Sequence, residues 1–388
     1  GWFVDAAYVG RFARNLPHAI NLTQSPYMFT DPASNQSFAQ AYDTIRGLLR
    51  GGATAATIPN QPFFENQLNG IGPSATQYVL ARQASNFTNG NVSTIFLNLG
   101  NYRRTLNLQP FNNDQSQVEF MRTYIGSTNY NGALFTVTKR LSRGLFISAN
   151  YTFSKALDNG LQNQNNAGFY QNSFYPGVEY GPSIFDRRHV FNLNWVYELP
   201  AGTGHRLSLG KGLDRVVGGW FVSGIATMWS GVPLVVSDSS GSQTWGDATV
   251  LGPSSGAIQT SAVSTGRNAP ISGTGYNFFS NGKNAITSFR PVLISADGRS
   301  GRANPLTGLP FRNVDLSLSK DTAITERLKA KFAADFFNVL NHPNFANPTQ
   351  SNLNITNPNT FGTINSSYTP PNRTNSARWI QLSIRLLF

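Results

Sequence analysis

The sequence predicts an all-β chain, a transmembrane antiparallel β-barrel sheet of roughly eight strands out of a larger barrel, with long extracellular loops and one short loop helix. Three observations predict it. Only 12% of the 388 residues are charged while another 12% are aromatic, about half the charge usual for soluble proteins. Several segments alternate apolar and uncharged polar side chains over about nine or ten residues, the length a strand needs to cross a bilayer. The links between these segments alternate short and long, as barrel turns and outer loops do.

Taken in order, the chain opens Gly1-Trp-Phe-Val-Asp-Ala-Ala-Tyr-Val-Gly10 inside a strand pattern. It has no initiator Met and no signal-peptide pattern, so the expectation is a piece whose N-terminal part lies elsewhere. Residues 24–127 form the first long external loop. A helix is expected near 37–50, because Phe38, Ala41, Tyr42, Ile45, Leu48 and Leu49 recur at helical spacing before the stop at Gly51-Gly52.

Leu145, Ile147, Ala149, Tyr151 and Phe153 then alternate with Ser148, Asn150, Thr152 and Ser154. Phe191, Leu193, Trp195, Tyr197 and Leu199 alternate with Asn192, Asn194 and Glu198. The uncharged run Val216 to Ser237 has the length of a membrane helix, but its glycines, Pro233 and the shared face of Trp220, Val222, Gly224, Ala226 and Met228 predict a strand. Residues 237–311 form a second long external loop. Leu328, Ala330, Phe332, Ala334 and Phe336 alternate with Lys329, Lys331 and Asp335, and the C-terminus sets Ile380, Leu382, Ile384, Leu386 and Phe388 against Gln381, Ser383 and Arg385. Counted back from that strand, the links at 341–376, 237–311, 158–187 and 24–127 are external and long. Those at 321–325, 200–217 and 142–144 are internal and short.

A soluble sandwich would alternate too, but its wet face would carry Lys, Glu and Arg. Here that face is mainly Asn, Ser, Thr and Gln, which suits a water-filled lumen. Tyr151, Phe153, Trp195, Tyr197, Trp220, Trp229 and Phe336 sit toward strand ends as candidate girdles. Net charge is +12, yet the basic residues are scattered, with no run longer than Arg103-Arg104 or Arg187-Arg188. No nucleic-acid partner is expected from such a pattern.

Chemistry is sparse. With no Cys there is no disulfide framework or thiolate site, and the four histidines at 18, 189, 205 and 342 form no metal motif. Gly202-Thr-Gly-His-Arg-Leu-Ser-Leu-Gly-Lys-Gly212 lacks phosphate-loop order and reads as a turn. No catalytic residue, metal or cofactor is assigned, and an enzyme is not expected. By strand parity Lys329, Lys331, Asp335, Gln381 and Arg385 are candidate lumen-lining residues.

The stretch Ala377-Arg-Trp-Ile-Gln-Leu-Ser-Ile-Arg-Leu-Leu-Phe388 resembles the terminal strand that outer-membrane barrel proteins present to their assembly machinery. Phe336-Phe-Asn-Val-Leu-Asn-His-Pro-Asn-Phe345 resembles the penultimate-strand motif of TonB-dependent receptors. Three further stretches, Asp186 to Trp195, Gly218 to Thr227 and Ile324 to Phe337, resemble the barrel domain of Oar-like TonB-dependent transporters.

The resemblance implies a location in the outer membrane of a Gram-negative-type bacterium and a whole barrel of about twenty-two strands with a plug inside. It also implies a TonB contact before that plug. Signal peptide, plug and TonB segment are expected outside this sequence, so this piece alone should form an open sheet. The implied partners are outer-membrane lipid, the barrel assembly machinery, the TonB system through the missing N-terminal part, and a ligand the sequence does not identify. Ile380, Leu382, Ile384, Leu386 and Phe388 become the candidate assembly signal. The competing expectation is a secreted all-β adhesin or glycan-binding module.

Overall fold

The computed structural model of the chain describes residues 1–22, 26–111, 120–159, 173–205, 207–238, 257–268, 276–297, 305–325, 328–369 and 376–388. Eight long strands form one antiparallel sheet: β1 Trp2–Asn21, β2 Phe120–Ser142, β3 Leu145–Asp158, β4 His189–Glu198, β5 Trp220–Trp229, β6 Phe311–Ala323, β7 Lys329–Phe337 and β8 Trp379–Leu387. They pair in chain order, and the two-residue strand Gly181–Pro182 adds to β3. The sheet is open. Among the described residues β1 pairs only with β2, and β8 only with β7.

Register separates two faces across all eight strands. Ile147 lies opposite Trp195, Trp195 opposite Gly224, Gly224 opposite Leu316 and Leu316 opposite Phe336, and this face is apolar. On the other face Ser148 meets Asn194, Ser223 meets Ser317 and Ser317 meets Asp335. A strand alternates its side chains by necessity, so the sequence period becomes a two-sided sheet as soon as the strands align. Gly224 is required by the apolar side, because a Cβ there would overlap the Trp195 ring.

Cations on the apolar face stand only at strand ends. At the short-turn end Lys139 Nζ donates to the Ser142 and Leu145 carbonyls, each at 2.8 Å. Lys320 Nζ donates to the Val216 and Gly218 carbonyls and lies 5.2 Å from the Trp220 ring. At the long-loop end Lys155 pairs with Asp186 at 2.9 Å. Such stems lie along apolar surface while their heads stay at its polar edge. Tyr151 and Phe153 lie toward the long-loop end of this face, with Trp195, Tyr197 and Trp220 toward the other. Trp229 departs from that pattern. Its odd position turns it to the polar face, where it stacks on Phe311 at 4.2 Å between ring centroids.

The long links are folded. Residues 24–127, expected to hold one helix, contain four among those described: α1 Phe38–Arg50, α2 Pro62–Gln67, α3 Ala75–Asn89 and α4 Val92–Thr105. The link is also shorter than expected, since β1 and β2 continue past the sheet to Asn21 and Phe120 as a two-stranded ribbon. Ser37 and Gln40 cap α1 reciprocally, at 3.1 and 2.8 Å, and α3 stops at Gly90 with φ 83°. The helices bury Phe38, Phe63, Phe64, Phe87 and Phe96. Burial of one Phe stabilises by about 1.5–3 kcal/mol, so this unit carries its own core.

Residues from the links 237–311 and 341–376 make a second core around Phe278, Phe279, Phe289, Leu353 and Phe361. Segment Tyr276–Phe279 pairs there with Thr363–Ile364. Gly231 anchors its base, since a Cβ would overlap the Gly308 backbone. Replacement of Gly231 by Val is expected to destabilise the protein by about 1–3 kcal/mol, read as a lower melting temperature in detergent. An unchanged melting temperature would mean that the two backbones do not pack.

Candidate functional site

Two features stand out as sites: a ladder of polar and charged side chains on the polar face, and the folded cap over the long-loop end. The ladder contains the residues singled out by strand parity. Lys329, Lys331 and Asp335 lie on one face of β7, opposite Leu387, Arg385 and Gln381 of β8. Across β6, Asp321 lies opposite Lys331 with their charged atoms 3.8 Å apart, and Ser317 lies opposite Asp335. This sets Lys331 between the Asp321 carboxylate and Arg385 near the short-turn end, and Asp335 between Ser317 and Gln381 farther along. Lys329 stands at the strand end beside Ala323 and Leu387.

On the opposite face, Ile380, Leu382, Ile384 and Leu386 lie against Phe336, Ala334, Phe332 and Ala330. Phe388 follows the last paired residue and is fully exposed.

The cap is a composite of loops distant in sequence. Its central contact is Arg46 with Asp238, at 3.3 Å, with both side chains 3% or less exposed. Arg46 and Arg50 also donate to the Asp238 carbonyl at 3.1 and 2.8 Å, and Asp238 Oδ2 accepts from the Val292 amide at 3.0 Å. Beside them Asp43 accepts from the Ile294 amide and from the amide and hydroxyl of Ser295, at 3.1, 2.8 and 2.6 Å. Val292 and Ile294 insert into the helical core.

Burial pushes the Asp43 carboxyl above its ordinary range and the Tyr42 phenol up to about 12. Burial, joined by the neighbouring Arg46, brings Arg50 down to about 10. No sequence motif announces this cluster. The one local signal is the polar set Asp43, Arg46 and Arg50 on the face of a helix otherwise read as packing.

Other sequence features resolve as structure. His189 Nδ1 lies 2.8 Å from the Tyr151 hydroxyl, with the rings stacked. The glycine-rich turn at 202–212 holds the Asp214 carboxylate, which accepts from the Leu209 amide and the Ser208 hydroxyl, both at 2.7 Å, and from the Thr203 hydroxyl. These bonds, the Ser208 one foremost, hold the Asp214 pKa down. A side chain thus fills the place an anion would take. Among the described residues no group of His, Asp and Glu could hold a metal ion, and no helix is long and apolar enough to cross a membrane. Within the link 237–311, residues 239–256, 269–275 and 298–304 lie outside the described residues.

No curated protein and no solved structure matches the chain. A family profile described as an outer membrane beta barrel domain matches residues 1–381, nearly the whole sequence and every strand of the sheet up to the start of β8. The chain belongs to this outer membrane beta barrel domain family, whose place is the outer membrane of Gram-negative-type bacteria.

Proposed function

We propose that the chain is barrel wall and outer cap of a TonB-dependent, Oar-like receptor that captures a ligand outside the cell and passes it along the polar face. One observation carries the reading: a mainly polar face runs across β3 to β8, and the long loops at one end of the sheet fold into a cap with two cores of its own. The apolar face meets lipid and the polar face lines the lumen, the arrangement that costs least in a bilayer. Lys329, Lys331, Asp335, Gln381 and Arg385 are then lumen groups, and the last strand from Ile380 to Phe388 is what the assembly machinery reads. The reading assigns no catalysis to the chain. Energy coupling enters through a plug and TonB contact outside this sequence. An outer-membrane family does not favour a secreted adhesin or glycan-binding module.

The test is growth of a deletion strain on siderophore-bound iron, cobalamin, glycan or peptide as the limiting nutrient, with and without a protonophore. Loss of growth on one of them is expected, with uptake in the parent strain abolished by the protonophore. Uptake that persists without proton-motive force would overturn energy-coupled transport.

A further inference from the structure

At the long-loop end of the apolar face there is a groove of about 580 Å³, lined among others by His189, Phe191, Met228, Arg312, Leu340 and His342. Phe191 lies opposite Met228 and Met228 opposite Arg312, so the groove runs across β4, β5 and β6 on the side that carries Leu193, Ala226 and Val314. It has no acidic lining residue. The position of Arg312 is fixed, because buried Asn344 accepts from its amide and donates to its carbonyl, both at 2.9 Å. Arg312 is nevertheless exposed, and its guanidinium has no ion pair among the described residues.

Other cations at this end of the sheet lie outside the groove lining. Lys155 is neutralised by Asp186, and Arg187 lies over the Trp229 ring and bonds the Ser230 carbonyl. Arg188 is exposed, lies 5.6 Å from the centre of the Phe153 ring and also lacks an ion pair among the described residues. An apolar groove edged by the uncompensated Arg312 guanidinium complements a ligand with an apolar chain and an anionic head.

We propose that this groove binds a phosphorylated glycolipid of the outer leaflet, with an acyl chain along Phe191, Met228 and Leu340 and a headgroup phosphate on Arg312. The proposal rests on the apolar face being the lipid-facing one. Free phosphate fits poorly, since most of the lining has nothing to offer it.

The test uses the protein extracted from outer membranes into detergent and titrated with diphosphoryl lipid A or its dephosphorylated form. Phosphorylated lipid is expected to bind about tenfold more tightly, and Arg312→Gln to remove about that factor for the phosphorylated form alone. Unchanged binding of the dephosphorylated form by the variant reports an intact fold. Equal affinity for the two lipids, an unaffected variant, or displacement of lipid by excess inorganic phosphate would each overturn the site. The face assignment is read separately. The sequence has no Cys, so Phe332→Cys offers a single spin-label position in this chain, expected to be accessible to oxygen rather than to aqueous nickel. A water-exposed label would refute the orientation itself, whereas a lipid-exposed label without phosphate dependence would refute only the glycolipid site.

Discussion

Leu382→Arg is expected to cost the folded protein about 2–4 kcal/mol in a bilayer, while Ser383→Arg, one residue on, stays close to the parent. Leu382 lies near the middle of β8, opposite Ala334, on the face shared with Ile380, Ile384 and Leu386. A guanidinium there must leave water for hydrocarbon, with about half the apolar band between it and either interface. Ser383 lies opposite Ala333 on the ladder face, between Gln381 and Arg385, where a charge remains hydrated. The measurement is the folding free energy in lipid vesicles from denaturant titration, with heat-modifiable gel mobility as a second reading. Equal losses from both variants would mean that the faces have no distinct solvents, and the barrel orientation would fall with that result.

Asp238→Ala is expected to undo the cap and spare the sheet. It leaves Arg46 almost wholly buried without its carboxylate, and removal of one partner of a buried ion pair costs about 3–5 kcal/mol. It also removes an acceptor from the Val292 amide, which positions Val292 and Ile294 in the helical core. Hydrogen exchange should therefore rise in α1 and in 292–295, while β3 to β7 keep their protection. The double variant Arg46→Met, Asp238→Leu should recover much of the loss, because the cost lies mainly in stranding one charge rather than in losing the attraction. Tyr42→Phe should be close to neutral. Its hydroxyl is buried and has no hydrogen-bond partner among the described residues, so its removal forfeits no bond. If Asp238→Ala leaves exchange in α1 unchanged, the two loops are not held together by this pair.

The strand faces were legible because a strand alternates its side chains whatever surrounds it. Ile147 and Ser148, or Leu382 and Ser383, had to point opposite ways once their segments were strands. α1 was legible for a similar reason, with helical spacing of Phe38, Tyr42 and Ile45 and a stop at Gly51-Gly52. Helix α2 was not, being too short to show a period. Helices α3 and α4 were not expected, although α4 buries Val92, Ile95, Phe96 and Leu99 at helical spacing. Trp229 was legible as an aromatic at a strand end, but its side was not weighed until pairing with Phe311 placed it on the polar face.

By itself, then, the sequence determined the kind of surface this protein presents: long two-faced strands, few charges, and loops sorted long and short, all of which depend on neighbours along the chain. Only the tertiary structure decided in which register the strands pair, while the sheet open at β1 and β8 agrees with expectation. It alone showed that Arg46, Asp43, Asp238 and Val292 meet in one cap, and that Arg312, with no ion pair among the described residues, stands at the lip of an apolar groove. The physical reason is the range of the forces. Alternation and helical period are written between residues a few positions apart, whereas a buried ion pair between residues 46 and 238 exists only after the intervening chain has closed upon itself.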